Sequence, residues 1–96
     1  MARDSYLRIL CYDVSCDRRR RKIAKLLEEE ATRVQYSVFE ARLTKRALAR
    51  LVARVETHLD RNDSLRVYTV GRNGERNCDV RGAGVPIEAE AGFWLL

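Results

Sequence analysis

The chain is read as an α+β sandwich, and three observations point that way. Several segments alternate apolar with polar residues, two others place apolar residues at helical spacing, and the two kinds follow one another over 96 residues. Residues 6–14 alternate, with Leu7, Ile9 and Cys11 on one side of a strand and Tyr6, Arg8, Leu10 and Tyr12 on the other. Asp13 continues the first set at the strand's end. Ser15 is placed to cap a helix over about 16–30, with Asp17 in the first turn and Ile23, Leu26 and Leu27 as its buried stripe.

Residues 33–43 form a second β region, split into two short strands that turn at Tyr36 and Ser37. Thr44 caps a second helix running to about residue 59, whose Leu48, Leu51, Val52, Val55 and Leu59 keep helical spacing. A polar turn, Asp60-Arg-Asn-Asp63, leads into a strand over 64–70 with Leu65, Val67 and Thr69 on one face and Arg66, Tyr68 and Val70 on the other. This β-α-β-β-α-β order predicts a ferredoxin-like sandwich with both helices on one sheet face. The other face, assigned Leu10, Tyr12 and Tyr68, is half apolar and uncovered, and an open face of that kind needs a partner.

Residues 1–96 read as one domain, with 71–96 as a less regular interaction tail. Gly71, Gly74, Gly82, Gly84 and Pro86 mark loops, with a short strand expected around 78–81. The apolar end, Gly92-Phe-Trp-Leu-Leu96, is expected to add an extra C-terminal edge strand to its own sheet or a partner's.

Nineteen Lys and Arg against fourteen Asp and Glu give a formal net charge of +5, which favours a polyanionic partner, nucleic acid or an acidic membrane surface. Cys11, Cys16 and Cys78 are odd in number and lack the close pairing of a zinc site, so they read as reduced thiols in a cytoplasmic protein. No signal peptide or membrane-spanning run is evident.

The first helix carries its charges against its own dipole: Arg18 to Lys22 open it, and Glu28, Glu29 and Glu30 close it. Stepping about 100° per residue from Ile23, Arg19 and Arg20 flank the buried stripe and are placed to reach the strand end and Asp13. Arg18 and Arg21 point away as a solvated face. Asp13 is either a hard oxygen ligand for Mg2+ or Mn2+ beside a phosphate, or an acceptor for the turn before the helix. A lone carboxylate makes a poor hydrolytic site, so catalysis would need a second Asp13 from a symmetric partner or ligands from the substrate. His58 reads as a surface residue near a helix end. Arg72, Arg76 and Arg81 could grip a phosphate backbone or belong to a charged loop.

Leu10-Cys-Tyr-Asp-Val-Ser15, Arg19-Arg-Arg-Lys-Ile-Ala-Lys-Leu-Leu27, Arg33-Val-Gln-Tyr-Ser-Val-Phe-Glu40 and Leu43-Thr44 together resemble the CRISPR-associated protein 2 family. The resemblance covers about residues 5–70. It implies a ferredoxin-like homodimer that works in CRISPR adaptation with CRISPR-associated protein 1, in a complex that integrates spacer DNA. It also implies a magnesium-dependent endonuclease acting on RNA or DNA, with Asp13 as the metal-binding and catalytic residue. Tyr12, Arg20, Arg33, Ser37 and Phe39 match positions that relatives place near the active site. Cys16 stands where relatives often carry Asp, which removes an auxiliary carboxylate.

Three functions follow. One is an architectural dimer whose basic surface, including Arg19, Arg20, Arg72 and Arg76, holds double-stranded DNA. A second is a metal-dependent endonuclease with paired Asp13 carboxylates. A third is a single-strand RNA-binding module that stacks bases on Tyr12 and Tyr68.

Overall fold

The computed structural model describes residues 5–87. Along the chain run β1 (Tyr6–Asp13), α1 (Asp17–Glu28), β2 (Thr32–Gln35), β3 (Val38–Leu43), α2 (Lys45–Glu56), β4 (Ser64–Val70) and α3 (Arg72–Arg76). The strands form one antiparallel sheet in the order β2-β3-β1-β4, so β1 lies between strands that the chain reaches only after a helix. Alternation placed the strands well: β4 matches its expected bounds, and β2 and β3 part at Tyr36 and Ser37.

The assignment of faces is corrected. Residues opposite one another in an antiparallel pair share a face, and Leu10 stands opposite both Phe39 and Val67. Leu10 and Tyr12 therefore lie in the core with Phe39, Ala41, Leu43, Ile23, Leu27, Leu51 and Val55, beneath α1 and α2. Ile9 stands opposite Tyr68 and Glu40, and Cys11 opposite Arg66 and Val38, so these residues define the second face. Tyr68 is 49% exposed there. Arg8 belongs to the core set and is buried without loss of hydrogen bonding. Its Nε donates to the Leu43 carbonyl at 3.0 Å and its Nη1 to the Thr69 hydroxyl at 2.8 Å.

The helix ends also differ in part from expectation. Cys16, not Ser15, is the N-cap of α1, and it makes no side-chain cap bond. Thr44 caps α2 as expected, its hydroxyl accepting the Ala47 N–H at 3.1 Å. The stripes follow the predicted spacing, with Ile23, Ala24 and Leu27 buried on α1 and Leu51 and Val55 on α2.

Residues 72–76, expected as loop, form α3. Its Glu75 pairs with Arg42, whose side chain is only 6% exposed. A Cβ on Gly74 would lie 3.3 Å from Val70 Cγ1. Arg42 and Val70 flank Leu7 on the second face, so α3 covers that end of the sheet and leaves Leu7 buried. The short strand expected around 78–81 does not form, and residues 77–87 carry neither helix nor strand. The expected edge strand at Gly92 to Leu96 lies outside the described residues.

Candidate functional site

Specific partners offset the reversed charges of α1. The Arg19 guanidinium grips Asp63 with two bonds, Nε to Oδ2 at 2.8 Å and Nη2 to Oδ1 at 3.2 Å, and its Nη1 lies 3.7 Å from Asp60. Asp63 Oδ2 also accepts the Asp60 N–H at 2.8 Å, and the Asp63 side chain is 1% exposed. The Arg19 bond, followed by the Asp60 N–H, holds the Asp63 carboxyl below the usual carboxylate range. Arg20 Nη1 donates to the Val14 carbonyl at 2.8 Å and the Ser15 carbonyl at 3.1 Å, and its guanidinium pairs with Asp17. Arg20 therefore reaches the strand end as expected. Neither arginine pairs with Asp13: the loop between α2 and β4 supplies Asp60 and Asp63 to Arg19, and the first turn supplies Asp17 to Arg20. At the other end of α1, Arg54 takes Glu29 at 3.2 Å and Glu30 at 3.8 Å, and Arg33 takes Glu28 at 3.7 Å.

Arg18 and Arg21, expected to point away as a solvated face, are exposed, and they also line a groove. Arg18, Arg21, Lys22 and Lys25 form one wall of an open cleft of about 530 Å³, with Arg33 and Tyr36 opposite. Among the described residues none of those four α1 cations has an ion pair. The wall is a concentrated positive field facing solvent, which attracts polyanions.

Opposite the helix, four residues singled out in the sequence come together. The Tyr12 ring stacks on Phe39 at 6.2 Å with the planes 28° apart. Tyr12 also holds the β2–β3 turn: its N–H donates to the Ser37 carbonyl at 3.2 Å, and its hydroxyl lies 3.5 Å from the Tyr36 carbonyl. Arg33 Nη2 donates to that hydroxyl at 3.4 Å, while its guanidinium carbon sits 5.2 Å from the Phe39 ring centre and 5.6 Å from that of Tyr36. Phe39 is fully buried and Tyr12 nearly so. These two rings therefore seat Arg33 and the turn, and a base cannot stack on Tyr12 as the RNA-module reading required. The residue that reasoning missed is Tyr36, 72% exposed on the rim. Its signal was its position: an aromatic in the break between two strands has no sheet face to pack on.

Asp13 is exposed at the end of β1, opposite Ser64 on the second face. Arg72 and Arg76 are not brought to it. Arg72 lies 4.7 Å over the Tyr6 ring at the opposite end of β1, about 23 Å away along an eight-residue strand. Among the described residues no group of three or more His, Cys, Asp or Glu is placed to hold a metal ion. Asp17 and Asp63 are both engaged by arginines. One chain thus presents Asp13 alone, a single hard oxygen ligand that needs further ligands from substrate, water or a second copy to hold a divalent cation. The Cys16 thiol is pulled below its usual range by the backbone N–H groups of Arg19 and Arg18 at the start of α1, and all three cysteines are free. His58 lines a separate cleft of about 340 Å³ with Cys16 and Asp60. No helix among the described residues is long and apolar enough to cross a membrane.

The fold and groove define a small α+β domain with a four-stranded antiparallel sheet and a cation-walled cleft. A family model for CRISPR associated protein Cas2 matches residues 6–78, and the chain belongs to that family. It is 45% identical over 78 residues to the CRISPR-associated endoribonuclease Cas2 2 of Synechocystis, an alignment spanning 78% of this chain and 83% of the relative. It is similar to the crystal structure of the hypothetical protein TT1823 from Thermus thermophilus, with a TM-score of 0.75 and 40% identity over 88% of this chain and 99% of the other. It is also similar to a chain of a partial Cas6-RT-Cas1–Cas2 complex, with a TM-score of 0.62 and 27% identity over 78% of this chain and 89% of that one.

Proposed function

We propose that the protein is a CRISPR adaptation subunit: a ferredoxin-like homodimer whose α1 surface holds double-stranded DNA while it works with the CRISPR-associated protein 1 integrase in acquiring spacers. The observation that carries this reading is the wall of Arg18, Arg21, Lys22 and Lys25, which the fold leaves without acidic partners among the described residues. Family membership and the similarity to a chain of a Cas1–Cas2 complex support the integrase as partner. Self-association is supported by the second face, where Ile9, Cys11, Val38 and Tyr68 stand with no helix of the described residues over them.

The test is spacer integration in vitro with the purified integrase and labelled duplex. Integration should depend on this protein and fall in an Arg18→Ala/Arg21→Ala variant. Equal integration without the protein would overturn the reading.

A second reading, a magnesium-dependent endonuclease, is favoured by the position of Asp13. It shares the second face with Ile9 and Cys11, so two copies associated over that face would carry one Asp13 each at the shared seam. The relative from Synechocystis is named an endoribonuclease. Cleavage assays of RNA and DNA with added Mg2+ or Mn2+ decide it. Cleavage lost in Asp13→Ala supports it, and no cleavage by the wild type removes it.

A further inference from the structure

We infer that the groove between α1 and the β2–β3 turn is a subsite for one unpaired nucleotide, its base stacked on Tyr36 and its phosphate held by the cations of α1. The inference rests on the proposed nucleic-acid-binding role of the α1 surface and names what lies at its edge. Four observations lead to it.

First, Tyr36 is the most exposed large apolar side chain of the described residues, at 72%, and it sits on the rim of a basic cleft rather than on an apolar patch. An aromatic ring beside phosphate-binding cations is the pairing that single-stranded nucleic acid requires, because every base offers a π-face. Duplex DNA buries its base faces in its own stack, so a duplex held by its phosphates gains nothing from this ring.

Second, the ring is positioned in advance. Tyr12 fixes the turn through the Ser37 carbonyl at 3.2 Å, and Arg33 lies 5.6 Å from the Tyr36 ring centre. Arg33 is itself held between Phe39 and Glu28, which limits what the turn must lose in freedom when a base arrives.

Third, the opposite wall supplies the anion site. Arg21 and Lys25 are four residues apart on α1 and so face the cleft one turn above the other. Fourth, the size is right. At about 530 Å³ the cleft falls within the roughly 300–1,000 Å³ of sites that take small organic ligands, and it is open at the top for a strand to enter and leave.

Other readings of Tyr36 are available, and the test separates them. The ring could be a dimer contact, or it could be ornament on a turn. Fluorescence anisotropy of end-labelled oligonucleotides would compare a single strand, a blunt duplex and a duplex with an unpaired overhang, for the wild type, Tyr36→Ala and Tyr36→Phe. Base stacking of this kind is worth about 1–3 kcal/mol, so Tyr36→Ala should weaken the single strand and the overhang by about 5- to 150-fold. Tyr36→Phe should restore both, and the blunt duplex should bind all three proteins alike. Lys25→Ala should weaken every ligand.

The subsite is overturned if Tyr36→Ala binds the single strand within twofold of wild type, if it weakens the blunt duplex equally, or if it changes the oligomeric state in light scattering. A wild type that binds blunt duplex while Tyr36 has no effect removes the subsite alone. A wild type that binds no nucleic acid removes both the subsite and the role on which it rests.

Discussion

The wall of the groove predicts a salt dependence that separates its cations from the arginines holding the fold together. Each cation that neutralises a duplex phosphate contributes about −0.9 to the slope of log K against log salt, so Arg18, Arg21, Lys22 and Lys25 together contribute about −3.6 for each chain on the duplex. Replacing Arg18 and Arg21 by alanine should flatten the slope by about 1.8. The variant's deficit should then shrink about tenfold between roughly 50 and 200 mM KCl. Thermal stability should not fall, because neither side chain has an ion pair among the described residues and both oppose the helix dipole. Arg19→Ala is the matched control. It removes one positive charge from the same helix, but that charge is neutralised by Asp63, so the slope should stay near wild type while the melting temperature drops. Anisotropy titrations of a labelled blunt duplex over that salt range, with calorimetry on the same samples, measure both quantities. An unchanged slope in the double variant, or equal flattening in Arg19→Ala, would refute the division of α1 into structural and binding cations.

Three further predictions concern the frame around the groove. Phe39→Ala should cost about 3–5 kcal/mol of stability by thermal or urea unfolding, since the ring is fully buried and its removal leaves a cavity in the core. Thr44→Ala should cost about 1 kcal/mol, seen as a lower urea midpoint at unchanged m-value, because the Ala47 N–H loses its acceptor. The Asp63 carboxyl is held below its ordinary range in the folded protein, so its contribution is present above the unfolded value and is lost as pH falls through the folded one. Urea midpoints taken downward from pH 7 should therefore fall less in Asp63→Asn than in the wild type, and parallel profiles would rule the contribution out.

Much of the frame was legible because its causes are local. Alternation over 64–70 placed β4 at its observed bounds, and the hydroxyl of Thr44 marked the start of α2. The assignment of faces was not legible. On β1 the set Leu7, Ile9 and Cys11 is as apolar as Leu10 and Tyr12, so period alone cannot choose between them. Arg8 also argued against the face that proved to be buried, because its partners, Leu43 and Thr69, are far away in sequence. In the same way α3 depends on a pairing of Glu75 with Arg42, which lies across the sheet and outside any local window.

The arginine block shows why a sequence can reveal that a helix is unusual and still hide which residues make it so. The opposition of charge and dipole was visible at once, and so was the inference that local stability does not account for it. Helical geometry then assigned the inward arginines to the site and the outward ones to solvent, since burial and function are easily equated. In the fold both inward arginines are paired with acids, and both outward ones are exposed, as expected, along the cleft. Asp63, 44 residues from Arg19, claims one inward position, and Asp17 in the first turn of α1 claims the other, Arg20. A cation so neutralised has little field left for a ligand. The outward positions have no acidic partner among the described residues, and with Tyr36 across the cleft they leave a positive wall facing solvent. On the proposed reading of the α1 surface, the inner arginines hold the fold and the outer ones meet the nucleic acid, and the salt titration of the Arg18/Arg21 and Arg19 variants is the measurement that separates those two roles.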